Sequence, residues 1–438
     1  MKIILKKAMR LIVENKISIS CSIMVFMYLF SFHFWRGRAI DSAMIVSIVL
    51  LFFAFRQQEY LKQIVRSFKT RHTRQLLICI CVIFGWIFLC QLINQTWDLS
   101  FVKTYIHMIF QFVLGAVLYQ FLIYNECEEK AITYVIWSFV AQTIIEWLAF
   151  LIPKFHELIN ITKSAETIRI GASYGGTRAV ALAGSDFFGL SAAYAIVLLI
   201  YWSRYNMIFQ NNRILKVVLY VFMMTGTFFA GRTGFIGVLF AVVYGFFVMI
   251  KKLILHEKIC FKFNESEKKI GKIAIVLISF ALVVLVVLYF VNENIHNLFA
   301  FALQPVFNLF ENGSLRVSSV TKMFNMYFVV PVKTLAVGDG IYSAVDGGYY
   351  MNTDVGYMRV LLYMGIPGLL LMTVLQGMLM YTGAKRERML KCVTFACLMI
   401  LNIKGEVVAW SLIVQACVIL FCLQGSKADG MECKELPV

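Results

Sequence analysis

Runs of about 20 apolar residues recur along most of this chain, and they restrict its fold more than any other feature. Each run is long enough, as a helix, to cross the ~30 Å hydrocarbon core of a bilayer. The chain is 61% hydrophobic and 15% charged, whereas a soluble domain is closer to half apolar and a quarter charged. The short alternating segments of a transmembrane β-barrel are absent from the sequence. The sequence therefore predicts an all-α polytopic integral membrane protein, with residues 1–438 as a single membrane domain.

Hydropathy predicts about twelve spans separated by polar segments. Their predicted bounds are 17–35, 40–55, 75–94, 104–124, 131–152, 186–203, 214–230, 233–250, 273–291, 355–383, 389–403 and 407–423. If the N-terminus is cytoplasmic, the segments richest in Lys and Arg, such as 56–74 and 251–272, fall on the inner side. No cysteine falls in a predicted outer segment, where oxidising conditions would favour disulfides. Both termini are therefore predicted to be cytoplasmic.

Two predicted outer segments are longer than ordinary connections. Residues 153–185 join the fifth and sixth spans, and residues 292–354 precede the tenth. Connections of this length are usually functional or disordered. Because the second segment mixes aromatic and polar residues, we expect it to be partly helical and to fold against the membrane.

The formal net charge of +17 would suggest nucleic-acid binding in a soluble protein. Here the basic residues cluster between apolar runs, which favours topology signals and contacts with anionic lipid headgroups. We therefore predict the lipid bilayer as a partner and no nucleic acid. No CxxC pair or His/Cys cluster has the spacing of a metal site, so the sequence predicts neither a metal nor another cofactor.

Four charged residues near the predicted outer ends of spans suggest a ligand site. They are Asp354 before the tenth span, Arg178 after Gly-Gly-Thr, Arg232 in Ala-Gly-Arg-Thr-Gly, and Arg316 after Gly-Ser-Leu. Guanidinium groups bind phosphate oxygens at two points, and adjacent glycines let the backbone approach a ligand closely. Interfacial arginines can also simply reach lipid headgroups. The combination nevertheless suggests a site for a phosphorylated lipid.

Asp354 is the predicted base of this site. A carboxylate near the hydrocarbon boundary has its pKa raised by burial and lowered by nearby arginines. The balance suits accepting a proton from a sugar hydroxyl. The same side chain could cap the following helix by accepting from its first N–H groups, and the two roles are compatible.

Other polar residues are weaker candidates. Those near the predicted site are Arg169, Arg359, Tyr350 and His296. His296 is a backup base. Glu146 and Glu406 lie within or near spans, where a carboxylate can mark the proton relay of a transporter. We instead expect Glu406 to pair with Lys404 in a tight turn.

Together these residues resemble the O-antigen polymerase and O-antigen ligase superfamily of membrane-embedded enzymes. The resemblance rests on three segments. The first is the Arg178 loop, which continues into Asp186-Phe-Phe-Gly-Leu, and the second is the Arg232 turn, which is similar to the family's Ser/Gly-Arg-Gly/Thr turn. The third is the Asp354 segment, which ends in Gly365-Ile-Pro-Gly. The ligase branch typically has a histidine and a small polar residue where this chain has Asp354 and Val355. This departure favours a polymerase.

The resemblance implies a glycosyltransferase that polymerises undecaprenyl-pyrophosphate-linked oligosaccharide repeat units into a capsule, O-antigen or exopolysaccharide. A hydroxyl of one lipid-linked unit would attack the anomeric carbon of the growing glycan, and undecaprenyl pyrophosphate would leave. In that reading Arg178, Arg232 and Arg316 hold the pyrophosphate, and Asp354 serves as the base.

The resemblance also implies a location in the bacterial cytoplasmic (inner) membrane, with an extracytoplasmic active site. A chain-length regulator and a flippase would be its partners. Two alternatives stay open, an O-antigen ligase-type transferase and a transporter or flippase for lipid-linked sugars. Transporters usually carry internal repeats and polar groups at mid-membrane. The chain has no evident repeat, and its polar residues concentrate near one face, which favours the enzyme.

Overall fold

The computed structural model describes most of the chain, and nearly all of that part is helical, with no strand. The described residues are 2–34, 40–173, 181–183, 187–208, 213–255, 286–287, 289–291, 296, 300, 304–313, 318–345, 347–381, 387–408 and 411–432. Three 3₁₀ turns accompany the α-helices, over Glu128–Lys130, Arg232–Gly234 and Tyr350–Asn352.

The α-helices are numbered here in chain order. They are α1 Lys2–Phe30, α2 Ser42–Arg56, α3 Gln58–Phe68, α4 Arg71–Asn94, α5 Ser100–Tyr124, α6 Ala131–Leu151, α7 Pro153–Asn160, α8 Ala165–Ser173, α9 Phe187–Ile208, α10 Arg213–Ala230, α11 Phe235–Ile254, α12 Gln304–Asn312, α13 Ser318–Asn325, α14 Val332–Val337, α15 Gly356–Tyr381, α16 Arg388–Leu401 and α17 Leu412–Glu432.

Several of these helices have the length and composition of membrane spans. Five stretches qualify, namely Arg71–Asn94, Ser100–Tyr124, Glu128–Leu151, Arg232–Ile254 and Gly356–Tyr381. The bent pair α2 and α3 makes a sixth if it is counted as one span, and shorter apolar helices occur within α1, α9, α10 and α17. The described residues are compatible with a helical membrane protein. The count of twelve spans stays a prediction, and most of the predicted span 273–291 lies outside the described residues.

The basic stretch 56–74, predicted as a polar connection, contains the helix α3. It leaves α2 at an angle of 114°, and we call this bend the elbow. Gln57 is extended at the bend, with φ −117° and ψ 92°. Beyond it, the buried Tyr60 donates to the Val117 carbonyl oxygen at 2.9 Å, so the bend is fixed by packing against α5.

The helix α9 lies at the centre of the bundle. Its residues 192–201 are buried on every face, as expected of a helix that is apolar all round. It packs against α6, α10, α11, α16 and α17. A Cβ added to Gly237 of α11 would lie 2.0 Å from the Ala195 carbonyl oxygen, so α11 can approach α9 this closely only with glycine at that position.

The helix α15 is broken near its start. Gly365 has φ 68° and ψ −170°, in a region that favours glycine. Pro367 follows, and it has no backbone N–H with which to continue the helical ladder. Partners outside the helix satisfy carbonyls at the break. Trp86 Nε1 donates to the Met364 carbonyl at 2.8 Å, and the Asp339 N–H donates to the Leu362 carbonyl at 2.6 Å. Gly365-Ile-Pro-Gly therefore has a structural role, because it shapes this break.

The bundle has two ends that differ in character. The helix α4 begins at Arg71, directly after the elbow helix. At its other end the Asn94 side chain donates to the Gly338 carbonyl at 3.1 Å, within the long segment before α15. A helix of this length spans ~36 Å. We call the first end the elbow end and the second the loop end.

Candidate functional site

At the loop end, the start of α15 packs against the turn 402–408 between α16 and α17. A Cβ added to Gly356 would lie 2.6 Å from the Gly405 carbonyl oxygen, so this contact also requires glycine. The Tyr357 hydroxyl donates to the Met399 carbonyl at 2.8 Å. These contacts place Asp354, two residues before α15, beside the same turn.

A buried ion pair lies beneath this contact. Arg359 Nη1 is 3.3 Å from Glu406 Oε2, and both side chains are less than a tenth exposed. The Tyr342 hydroxyl donates to the same carboxylate oxygen at 2.6 Å. The Arg359 guanidinium stacks on Tyr342, 3.9 Å from the ring centre, and on Tyr349 at 4.6 Å. Burial raises the pKa of Glu406, while Arg359 and the hydrogen bond from Tyr342 act in the opposite direction.

The expected pairing of Lys404 with Glu406 is wrong. Glu406 pairs with Arg359 instead, and Lys404 Nζ donates to the Thr233 hydroxyl at 2.7 Å. The two side chains, only two positions apart, serve different partners because Glu406 is buried in the protein interior whereas Lys404 is half-buried. The contact of Lys404 with Thr233 joins the turn 402–408 to the Arg232 turn. The sequence of neither segment alone predicts this contact.

The Arg232 turn is fixed by its backbone. Gly231 has φ 152°, a conformation that favours glycine. The Ser191 hydroxyl donates to the Gly231 carbonyl at 2.5 Å and accepts from the Gly234 N–H at 2.8 Å. Arg232 itself is half-buried, and its Nη1 donates to Gln304 Oε1 at 2.8 Å. One contact that orients the guanidinium is therefore a hydrogen bond to a neutral amide oxygen.

Asp354 is exposed at the surface of this contact. Although the side chain reaches the surface, partial desolvation by the surrounding protein raises the pKa of its carboxyl group. The hydrogen bond from its own backbone N–H and the charges of Arg359 and Lys404 oppose the shift. The helix α15 begins at Gly356, and the Asp354 side chain accepts from its own backbone N–H. The alternative role of Asp354 as a helix cap has no support from a first-turn hydrogen bond among the described residues. We define the Asp354 cluster as Asp354, Tyr342, Arg359, Lys404 and Glu406.

Asp98, which the sequence did not single out, holds the Tyr342 loop in place. Its Oδ2 accepts from the Tyr342 N–H at 2.7 Å, and its Oδ1 accepts from the Ser100 hydroxyl. Although burial raises the pKa of Asp98, these hydrogen bonds together hold it below its ordinary value. An aspartate two residues before the serine that starts α5 is the only sequence signal for this role.

The remaining candidates lie outside this cluster. Tyr350 donates to Asp339 Oδ2 at 3.4 Å. Arg169 is exposed on α8, and no described residue forms a hydrogen bond or ion pair with it. His296 stacks on Tyr289, with ring centres 4.5 Å apart. Arg178 and Arg316 lie outside the described residues.

A second buried carboxylate lies deeper in the bundle. Glu146 of α6 accepts from the Tyr194 hydroxyl at 3.0 Å and from Gln142 Nε2 at 3.3 Å. Lys163, between α7 and α8, donates to the Ala183 carbonyl. Burial lowers the pKa of Lys163 to about 7, and the charge of Glu146 opposes this shift. Glu146 is thus satisfied by neutral donors with a cation nearby.

Among the described residues, no group of three His, Cys, Asp or Glu side chains could hold a metal ion. Comparison with known proteins finds no matching family model, no matching curated protein and no matching solved structure. The functional argument therefore depends on this chain's own residues.

Proposed function

We propose that this protein is a membrane glycosyltransferase that polymerises undecaprenyl-pyrophosphate-linked repeat units at the extracytoplasmic face of the bacterial inner membrane. One observation carries the proposal. An exposed carboxylate with a raised pKa, Asp354, lies within the field of Lys404, which is bonded to the residue next to Arg232. A base and two cations therefore share one end of the bundle, as the resemblance to the polymerase superfamily requires.

The reaction needs two separate electrostatic functions. A hydroxyl of the acceptor unit forms a bond to the anomeric carbon of the donor glycan, and its proton passes to Asp354. The bond from that carbon to the pyrophosphate oxygen breaks, and the electron pair leaves with undecaprenyl pyrophosphate. Arg232 and Lys404 stabilise the departing charge, because fixed cations in a partly dehydrated site act more strongly than in water.

The buried pair supports this arrangement from below. Arg359 and Glu406 lie within ion-pair distance, and burial raises the pKa of Asp354 against the opposing charge of Arg359. The stacked tyrosine rings fix the guanidinium in one orientation. We assign Arg359 and Glu406 the role of positioning residues, since neither side chain is exposed enough to bind a substrate.

Two observations favour a second candidate, a flippase or transporter for lipid-linked sugars. The helix α15 is interrupted at Gly365, and Glu146 is a buried carboxylate within a candidate span. Interrupted helices and intramembrane carboxylates are typical of transporters. Against this, external donors satisfy the carbonyls at the break. A ligase that transfers the glycan to another acceptor remains the third alternative.

The test uses the purified protein in detergent with lipid-linked repeat units. Laddered products on the lipid carrier support polymerisation, and transfer to an acceptor that is not a polyprenyl lipid indicates a ligase. In liposomes, movement of the substrate across the bilayer without a new glycosidic bond supports the flippase.

Arg232→Ala and Asp354→Asn should each abolish laddering while expression is retained. Near-normal chain growth in both variants would rule out the proposed site.

A matched control separates catalytic loss from a general loss of charge. Glu59→Gln removes an exposed carboxylate at the elbow end, where Glu59 contacts Lys62 at 2.8 Å. This variant should form ladders at the wild-type rate, because the substituted group lies at the opposite end of the bundle. Equal losses in Glu59→Gln and Asp354→Asn would show that the assay reports protein integrity rather than chemistry.

A further inference from the structure

The elbow helix α3 has three different faces. With a rotation of about 100° per residue, Tyr60 and Ile64 share one face, Leu61 and Val65 a second, and Lys62, Arg66 and Glu59 a third. Tyr60 is fully buried, whereas Leu61 and Val65 are more than 40% exposed. Lys62 and Arg66 are also exposed. A helix with one face on protein, one apolar and exposed, and one charged is suited to lie in the plane of a membrane interface.

Packing holds this helix in place on the bundle. The Tyr60 ring packs edge-on against Phe53 and Phe121, with ring centres 5.2 and 6.1 Å apart. The Tyr124 hydroxyl donates to Gln57 Oε1 at 3.4 Å, at the bend itself. The helix axis is therefore fixed at 114° to α2. If α2 crosses the bilayer, α3 must lie close to the membrane plane.

The residues around the elbow, 56–74, carry a concentrated positive charge. Six basic side chains between residues 56 and 74 are exposed, and Glu59 is the single carboxylate among them. They are Arg56, Lys62, Arg66, Lys69, Arg71 and Arg74. Only Lys62 forms an ion pair with a described carboxylate, that of Glu59. The other five charges fit an anionic partner at the membrane surface.

A groove between α1 and α2 opens at the same depth. It encloses about 310 Å³, its walls include Ile19, Ile23 and Val49, and Lys16 lies along it. The Ser42 hydroxyl donates to the Met27 carbonyl at 2.7 Å, so the two helices are antiparallel from that contact. Lys16 and Arg56 each lie ~21 Å along their helices from the α1–α2 connection. The groove therefore runs away from the basic elbow between apolar walls.

We infer that the elbow is a binding site for anionic phospholipid of the bilayer. The headgroup phosphate contacts the basic edge of α3 and its flanking residues, and an acyl chain lies in the α1–α2 groove. Charge complementarity commits the site to this occupant, because exposed cations lie on α3 and on the adjoining ends of α2 and α4, next to the exposed apolar face of α3. The inference is independent of the glycan transfer, since the two sites lie at opposite ends of the bundle.

The test measures binding of phosphatidylglycerol to the full-length protein in zwitterionic detergent by native mass spectrometry. Phosphatidylcholine of the same chain length is the neutral reference. Arg66→Gln/Lys69→Gln/Arg71→Gln should weaken phosphatidylglycerol association by roughly 100-fold, because each surface cation contributes about fivefold. The triple variant Lys103→Gln/Lys154→Gln/Lys333→Gln removes the same charge from exposed positions at the loop end and should bind as the wild type does.

Further arms decide between sources of the signal. Inorganic phosphate at millimolar concentration should fail to displace the lipid, because it lacks the chain that the groove holds; displacement would reduce the site to a simple anion site. Raising salt from about 0.1 to about 0.5 M should weaken wild-type binding steeply, and this measurement needs no variant. Equal binding of phosphatidylglycerol and phosphatidylcholine, or equal losses in the two triple variants, would overturn the inference.

Discussion

At the loop end, each described cation of the candidate site is held by a specific partner. Arg359 stacks between two tyrosines against Glu406, Lys404 bonds to Thr233, and Arg232 bonds to Gln304. At the elbow end, exposed cations are crowded on α3 and on the adjoining ends of α2 and α4. Glu59 is the only described carboxylate that pairs with any of them. Fixed cations can recognise one geometry of charge, whereas crowded surface cations recognise charge density. The difference separates the proposed catalytic site from the proposed lipid-binding surface.

The largest expected effect comes from breaking the buried pair. Arg359→Met leaves the Glu406 carboxylate buried without its cation, so the free energy of unfolding should fall by roughly 3–5 kcal/mol. Lys62→Met breaks the exposed pair with Glu59 and should leave the unfolding midpoint unchanged. Thermal unfolding in detergent measures both. Adding Glu406→Gln to the Arg359→Met variant should recover part of the loss, and equal midpoints for the two single variants would contradict the comparison.

The next effect concerns rate rather than stability. Lys404→Gln keeps a hydrogen-bonding group near Thr233 but removes the charge that would stabilise the leaving pyrophosphate. We expect kcat for chain elongation to fall about 100-fold with little change in KM. Lys62→Gln, at the elbow end, should leave kcat unchanged. A rise in KM alone for Lys404→Gln would assign this lysine to substrate binding and not to catalysis.

A smaller effect is expected at the break in α15. Gly365→Ala forces a side chain onto φ 68°, with the new Cβ 2.8 Å from the Ala336 backbone. The free energy of unfolding should fall by roughly 1–3 kcal/mol. Gly85→Ala is the control within α4, since a Cβ there meets nothing within 4 Å. A gain in helix propensity should make that variant as stable as the wild type or slightly more stable.

The last expected effect is a change in the pH dependence of stability rather than in stability at one pH. The pKa of Lys163 is lowered to about 7 from its ordinary value of 10.5, so between these values the unfolded chain binds one more proton than the folded one. The stability from this residue is complete above about 10.5 and is lost as pH falls towards 7. Lys163→Met should remove this slope from the unfolding midpoint between pH 7 and 10. Lys154→Met, an exposed substitution at the same end, should retain it.

The helical architecture could be predicted because it depends on local composition. Apolar runs located the long helices, since a backbone inside a bilayer must satisfy its own hydrogen bonds. The elbow helix was missed for the same reason. Its charges resemble those of a loop. The helical spacing of its apolar residues indicates a helix only when there is a surface against which the helix can pack; these residues are Tyr60, Leu61, Ile64 and Val65.

The site was less predictable because its contacts join distant segments. Asp354 and Arg232 were chosen from their positions beside apolar runs, but no local pattern links either to Lys404. Glu406 is only two positions from Lys404 in the sequence, yet the partner of Glu406 is Arg359, which lies on another helix. Burial decided the pairing, because a carboxylate inside the protein needs a cation there, and a neighbouring lysine could turn towards the surface.

The interruption of α15 has a mechanical consequence for the candidate base. The part of the helix that precedes Gly365 extends ~16 Å to Asp354, so a small rotation at this glycine causes a larger displacement of the carboxylate. A tilt of about 5° would displace the carboxylate by about 1 Å, an error that can lower a catalytic rate ~100-fold. The position of Asp354 thus depends on the hydrogen bond from the Trp86 indole to Met364 at the break as well as on the local contacts of Gly356 and Tyr357.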